Sequence, residues 1–345
     1  MLISVWSLAG CYLTGQALHQ NDLFNTRRKV DDVLQSPSTK AKTSEQLVKV
    51  RRVMDFARAQ GLNTAGAYDY LIETQQPVVS YIVQAARDDQ LVFITWWFPL
   101  VGEVPYLGFF RQDERDAEAA KLRAIGYDVS IGGAGAFSSL GWFDDPIFSS
   151  MLERGDADLA HLFFHELTHR TFWVPGSSTF NENLAEYTAT VLTRDYLTNQ
   201  GSNQDLALLS RYELKQRDKE LFTGWLQRLK GDLMSLYQAE PQLGREQVLE
   251  RKQVLLQRYQ LPPMKPAFAV IDYVGRELWN NASVLGAAMY APELARFARA
   301  RQCIGGDQSI LRFLKELRIA IDRSSDPFVG LDSLCLNPMP MPGGT

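Results

Sequence analysis

The stretch from residue 161 to residue 197 constrains the fold of this chain more than any other part of its sequence. It contains His-Glu-Leu-Thr-His at 165–169, which matches the HExxH pattern, and Glu182 follows thirteen residues after His169. Positions i and i+4 of an α-helix lie above one another on one face, so His165 and His169 can direct imidazole nitrogens at one metal ion. The pattern predicts a metal-binding helix with Glu166 beside the metal; the alternative is a solvated polar helix face.

A second helix is predicted over residues 181–197, and the loop at 173–178 lets it fold back antiparallel to the first. A catalytic zinc site takes three protein ligands and leaves one position open for water. Glu182 is the predicted third ligand, because no histidine follows His169 in the sequence. Glu186 lies one turn further on, where it could accept the other N–H of a ligating histidine, and Asn181 is expected beside it.

Composition limits the classes of function. The 345 residues carry a net charge of −4, which gives no basic surface for nucleic acid. The three cysteines lack metal-ligand spacing, so thiolates are not expected to hold the metal. Cys303 and Cys335 either pair in an oxidising compartment or remain two unpaired thiols.

The N-terminus is predicted to be a lipoprotein signal-like segment over residues 1–11. Leu-Ala-Gly-Cys at 8–11 fits a bacterial lipobox, so a lipid on Cys11 would be the only membrane attachment of an envelope, periplasmic protein. The segment lacks Lys and Arg, and the alternative is a buried apolar N-terminus and a cytoplasmic location. No apolar run approaches the twenty residues of a membrane span.

Apolar spacing predicts an α+β fold that is predominantly helical. Residues 12–330 are expected to form a single domain, with a sheet-containing part at about 76–145, the zinc helices at about 156–198 and a helical part at about 201–322. Residues 323–345 are predicted to be a flexible tail. Predicted strands are 78–85, 91–97, 106–110 and 127–131, and predicted helices are 68–73, 113–125, 204–238, 245–259, 283–290, 293–301 and 308–321.

The glycine-rich segment at 132–143 is predicted either to be a short edge strand that binds an extended peptide or to be a flexible connector. Asp145 is predicted to cap a helix whose first residue is Pro146. Asp145 and Glu103 are also the acidic residues that could meet the free ammonium of a substrate. The candidate substrate-binding residues are Ala136, Phe137, Ser138, Ser139, Leu140, Gly141 and Asp145.

With these motifs in view, the chain resembles the bacterial family of predicted zinc aminopeptidases, whose members are often lipoproteins. The resemblance covers roughly residues 11–300 and implies a gluzincin-like fold in which a small sheet precedes the zinc helix pair and a helical C-terminal part. It also implies one zinc ion per chain, a peptide substrate and an aminopeptidase activity, and it implies no protein partner. Its motifs lie at 8–11, 97–102, 106–110, 138–146, 164–169, 180–182 with Ala185, and 280–282 with Tyr290.

The expected mechanism is that of a zinc hydrolase. His165, His169 and Glu182 would hold Zn²⁺ with one water, and Glu166 would take the proton of that water and pass it to the leaving amine. Tyr290 is the candidate oxyanion donor, or else an aromatic residue packed in the core. Three functions remain open: a zinc aminopeptidase, a zinc endopeptidase or envelope peptide hydrolase, and a non-catalytic zinc-binding envelope protein.

Overall fold

The computed structural model describes residues 23–98, 102–135, 144–239, 243–259, 279–289, 293–306 and 309–336. Within these ranges the fold is α+β and mostly helical, as the sequence predicts. None of the helices described combines the length and the apolarity that a bilayer span requires.

The N-terminal half alternates short strands with helices. Its strands are β1 (Arg28–Lys29), β2 (Tyr70–Ile72), β3 (Ser80–Ala86), β4 (Trp96–Phe98), β5 (Gly102–Val104), β6 (Leu107–Phe109), β7 (Asp128–Ala134) and β8 (Ile147–Phe148). Its helices are α1 (Val30–Gln35), α2 (Ala41–Ala59) and α3 (Gln112–Ala124), and a 3₁₀ turn (Ser149–Glu153) follows β8.

The C-terminal half is helical. Its helices are α4 (Asp156–Thr171), α5 (Ser178–Gln200), α6 (Asn203–Gln238), α7 (Arg245–Arg258), α8 (Asn281–Met289), α9 (Leu294–Cys303), α10 (Ile310–Ile321) and α11 (Pro327–Leu336). The long predicted helices at 204–238, 245–259 and 308–321 correspond to α6, α7 and α10, since each carries a sustained apolar face.

The strands form three small sheets. In the largest, β3 pairs antiparallel with both β6 and β7, and α3 packs on it around Val83, Leu107 and Leu122. The hairpin differs from the prediction: the turn expected at 99–105 contains β5, which pairs with β4, whereas β6 pairs with β3. Gly102 in β5 has φ of +78°, and an added Cβ there would lie 2.9 Å from the backbone nitrogen of Gly176, so this hairpin contacts the loop between α4 and α5.

Two local predictions on either side of this sheet are wrong. Residues 68–73 do not form a helix, because Leu71 and Ile72 are almost wholly buried in β2, where Leu71 pairs with Ile147 of β8. Asp145 does not cap a helix either. Pro146 leads into β8, and the helix predicted to bind the metal, α4, begins only at Asp156.

The main hydrophobic core lies around the helix pair α4 and α5. Phe163, Phe164 and Leu167 of α4 and Leu184 of α5 are at most 1% exposed. Helices α2, α9, α10 and α11 contribute to the same core. A separate cluster, with Trp225 of α6 among its members, joins α6 to α7 and α8.

The C-terminal segment is more ordered than predicted. Residues 327–336 of the expected flexible tail form α11, whose Leu331 is fully buried, because its apolar side chains pack on α9 and α10. A disulfide between Cys303 and Cys335 joins α9 to α11, which resolves the alternative left open by the sequence. The ring of Phe328 packs against Phe180 at a centroid distance of 5.1 Å. Residues 337–345 lie outside the described ranges.

Candidate metal centre

The antiparallel pairing of α4 and α5 brings the predicted ligands together. His165 Nε2 lies 3.2 Å from Glu182 Oε2, and His169 Nε2 lies 3.7 Å from Glu182 Oε1. The two Nε2 atoms are 3.2 Å apart. These three side chains are at most 14% exposed, and we call them the ligand trio.

The spacing of the ligand trio fits one metal ion. Ligand atoms about 2.0–2.1 Å from a tetrahedral zinc ion lie about 3.3 Å from one another, because the tetrahedral angle fixes that ratio. The donor set of two imidazoles and one carboxylate is also the set that zinc takes in catalytic sites. Two facing imidazole nitrogens beside a carboxylate therefore form a site for a shared cation.

Residues of the connecting loop hold the trio in place. The side chain of Asn181 accepts the N–H of Val174 at 2.9 Å and donates to its carbonyl at 2.8 Å, so Asn181 fixes the loop rather than a histidine. The ring of Trp173 packs edge-on against His169 at 5.5 Å. His169 Nδ1 is buried and has no hydrogen-bond partner among the described residues, so the contacts of Nε2 within the trio and the packing of Trp173 orient this ring.

Without a metal, the trio carries a proton. Burial opposes the charge on His165, but its hydrogen bond to Glu182 and the charge of that carboxylate raise the pKa of His165 to about 9. Burial likewise opposes the charge on Glu182, but His169 and His165 lower the pKa of Glu182 below its ordinary value. The two groups therefore form an ion pair at neutral pH, and a metal ion that binds here would have to displace its proton.

This ion pair predicts how the stability of the metal-free protein depends on pH. Because the pKa of His165 is raised in the folded state, its stabilisation is fully present below pH 6.5 and is lost as pH rises through about 9. A shift of that size corresponds to ~3 kcal/mol in the free energy of unfolding. We expect Glu182→Gln to destabilise the metal-free protein at pH 6 and much less at pH 9.5, measured by urea unfolding in a chelator. An equal effect at both pH values would contradict the ion pair.

A second layer of residues lies behind His165. Glu186, predicted to accept from a ligating histidine, lies 3.8 Å from His165 Nδ1, beyond hydrogen-bond distance. Its closer partners are His161 Nε2 at 3.0 Å and Lys219 Nζ at 2.8 Å. Burial opposes its charge, but His161 and Lys219 hold the pKa of Glu186 well below its ordinary value. His161 in turn contacts the hydroxyl of Tyr212 at 2.7 Å through Nδ1.

Sequence reasoning missed His161, Tyr212 and Lys219 in this layer. The one available signal was the recurrence of histidine at i, i+4 and i+8, which puts His161 on the same face of α4 as His165 and His169. Tyr212 and Lys219 lie on α6, and no local pattern shows that this helix packs against α4 and α5.

His161, His165 and Glu186 form a second group that could hold a cation, and it shares His165 with the ligand trio. One feature argues against an ion there. The ammonium of Lys219 already neutralises Glu186. A second cation would be repelled by Lys219 at close range, so the ligand trio is the better site.

The second layer predicts an effect on metal affinity. Glu186→Gln keeps the shape of the side chain but removes the charge that faces His161 and His165. We expect zinc affinity to fall about 10- to 100-fold, as for other residues that orient a ligating histidine. Competition with a chromophoric chelator measures this. Glu213→Gln, which alters a carboxylate paired with Arg194 instead, is the matched control and should bind zinc as the wild type does.

Glu166 lies next to the trio but is not part of it. Burial raises the pKa of Glu166, and the positive charges of His165 and His169 only partly offset that effect. A carboxylate with a raised pKa beside a metal site is suited to accept and return a proton near neutral pH. The position predicted for a general base is therefore occupied by a group of the right chemistry.

Some of the remaining predicted site residues are described by the structure, and the others lie outside the described ranges. Asp145 is buried, and its carboxylate accepts a hydrogen bond from Arg170 Nη1 at 2.5 Å, so it is engaged in an internal ion pair. Its predicted contact with a substrate ammonium stays a prediction. Gly132 and Gly133 lie in β7 at the edge of the sheet. Tyr290 and the predicted substrate residues at 136–141 lie outside the described ranges.

Comparison with known proteins identifies a family for this chain. The model of a family described as "Putative aminopeptidase" matches residues 11–324. No curated protein and no solved structure matches the chain significantly. The match spans the ligand trio, Glu166 and the second layer.

Proposed function

The chain belongs to this aminopeptidase family, and from that premise we propose that it is a zinc-dependent aminopeptidase. The observation that carries the proposal is the convergence of His165, His169 and Glu182 within one metal-sized group, with Glu166 adjacent to it. A purely structural zinc site is closed by its ligands and has no need of a neighbouring base. Glu166 therefore favours catalysis over a structural metal.

Each residue of the site has a distinct task in the proposed reaction. His165, His169 and Glu182 would hold Zn²⁺, which supplies a Lewis acid that polarises the scissile carbonyl and acidifies water. Glu166 accepts a proton from the attacking water and delivers it to the leaving amine. Glu186, fixed by Lys219 and His161, provides negative charge behind His165. The buried surroundings strengthen these electrostatic effects.

Family membership, rather than the geometry of the trio, favours an aminopeptidase over an endopeptidase. An aminopeptidase must recognise the free ammonium of its substrate, and an acidic side chain near the cleavage site is the usual means. Glu103, which is exposed and contacts the Thr95 hydroxyl at 3.3 Å, stays a candidate for that role. Its hairpin contacts the α4–α5 loop through Gly102.

The decisive experiment combines metal analysis with hydrolysis of aminoacyl reporters. Purified protein should contain one zinc per chain, release the reporter from substrates with a free amine and lose activity on chelation. The same reporters with a blocked amine should not be cleaved. Cleavage of blocked peptides alone would favour an endopeptidase, and zinc binding with no hydrolysis of either class would favour a non-catalytic protein.

The proposed location is the bacterial envelope, with a lipid on Cys11. The Cys303–Cys335 disulfide supports it, because such bonds persist in oxidising compartments and are rare in the cytoplasm of mesophiles. Fractionation of cells expressing the wild type and Cys11→Ser tests the anchor. The serine variant should leave the membrane fraction, and equal membrane association of both proteins would exclude a lipid at this position.

A further inference from the structure

Tyr68 has an unusual backbone for its residue type. Among the described residues it is the one non-glycine residue with φ in the left-handed region, at +65°. This conformation is unfavourable for a residue with a bulky side chain and persists only where surrounding contacts impose it. Here the N–H of Tyr68 donates to the carbonyl of Asp145 at 2.7 Å, and its ring packs edge-on against Phe163 at 4.5 Å.

These contacts place the side chain of Tyr68 along one face of α4. Phe163, Glu166 and Arg170 lie at i, i+3 and i+7 of that helix and therefore share a face. Burial raises the pKa of Tyr68 well above its ordinary value, and the negative charges of Glu166 and Asp145 add to that rise. The ring packs on the helix face that also carries the proposed general base.

The hydroxyl of Tyr68 is buried and has no hydrogen-bond partner among the described residues. A buried hydroxyl without a partner is costly, and phenylalanine would fill the same space without that cost. The combination of an unfavourable backbone and an unsatisfied donor is typical of a group kept for function.

Of the two nearby carboxylates, Asp145 is already paired with Arg170, which favours Glu166 as the acceptor for this donor. Asp145 and Arg170 engage each other, and Arg170 Nη2 also donates to the carbonyl of Ala65 at 2.6 Å. The pair therefore anchors the loop that carries Tyr68 to α4. Glu166 is partly exposed, and a rotation of its side chain changes the distance between its carboxylate and the Tyr68 hydroxyl.

We propose that Tyr68 is a positioning residue whose hydroxyl donates a hydrogen bond to the Glu166 carboxylate and holds it at the ligand trio during turnover. The inference rests on the proposed function, in which Glu166 is the general base. The donor fixes the rotamer of the carboxylate, so that proton transfer starts from one orientation rather than several. Its contribution falls on the chemical step and not on substrate binding.

Tyr68→Phe tests the proposal, since it keeps the ring and removes only the hydroxyl. We expect kcat to fall about 10-fold or more, KM to change by less than about two-fold and bound zinc to stay at the wild-type level. The melting temperature should not fall, because an unsatisfied hydroxyl is removed. The matched control is Tyr237→Phe. That hydroxyl donates to Asn281 at 2.7 Å in the α6–α8 region, so its loss should lower the melting temperature and leave kcat unchanged.

A second measurement separates this proposal from the proposed function. The losses of kcat in Tyr68→Phe and Glu166→Gln should not multiply in the double variant, because the hydroxyl acts only through Glu166. Multiplied losses, or an unchanged kcat in Tyr68→Phe, would overturn the positioning role. If the wild type hydrolyses no peptide, the proposed function fails and the positioning role fails with it, whereas an active wild type with an unchanged kcat in Tyr68→Phe refutes the positioning role alone.

Discussion

Glu166→Gln is expected to retain one zinc per chain and to lose between about 10²- and 10⁴-fold in kcat/KM, the range for a general acid–base residue. The amide has nearly the size of the carboxylate but cannot accept a proton from water. Zinc is retained because the ligand trio is formed by His165, His169 and Glu182 without Glu166. Metal analysis and aminoacyl-reporter kinetics on the same preparation give both quantities.

The control for this variant is the same Glu→Gln substitution at a residue outside the site. Glu118→Gln alters a carboxylate on α3 that is paired with Lys121 at 3.0 Å. It should leave zinc content and kcat/KM at the wild-type values. Unchanged turnover in Glu166→Gln would remove Glu166 from the mechanism, whereas loss of zinc in that variant would show that it is a ligand.

His169→Ala is expected to abolish stable zinc binding and, with it, all activity. The substitution removes one of three donors, and the remaining two cannot complete a site that also needs an open position for water. The wild type should retain one zinc through gel filtration and gain thermal stability from added zinc, while the variant does neither. Zinc analysis and melting curves with and without the metal measure these effects.

His161→Ala is the informative comparison, because His161 belongs only to the second group of possible ligands. If zinc lies in the ligand trio, His161→Ala retains the metal with reduced affinity and His169→Ala loses it. The opposite pattern would place the ion among His161, His165 and Glu186. Full zinc occupancy in His169→Ala would by itself remove His169 from the ligand set.

The sequence predicts that His165, His169 and Glu182 come together, because the requirement is local. HExxH fixes two imidazoles on one helix face, and Glu182 lies one short loop away on the helix that folds back. The helices α3, α6 and α10 depend on equally local information, because the spacing of apolar residues is enough to predict them. Where interacting residues are close along the chain, the local sequence pattern is enough to predict the structure.

The predictions that fail concern residues whose contacts are with parts of the chain distant in sequence. The sequence predicts a helix over residues 68–73, because nothing nearby shows that Leu71 pairs with Ile147 in a parallel strand. Tyr212 and Lys219 reach the site through the packing of α6, which leaves no sequence signature. Helix α11 was hidden by the Pro- and Gly-rich composition of the residues that follow it.

Helix α11 supports the part of α5 that carries one of the proposed metal ligands. It lies beyond residue 324, where the family match ends, and its Phe328 contacts Phe180, two residues ahead of Glu182 on α5. The Cys303–Cys335 bond joins α11 to α9, and Phe297 of α9 also packs on Phe180 at a centroid distance of 5.6 Å. Two helices therefore support the same turn of α5. A chain shortened after Arg323 would lose the contact of α11 with Phe180, and Glu182 would be the first member of the trio to lose its position.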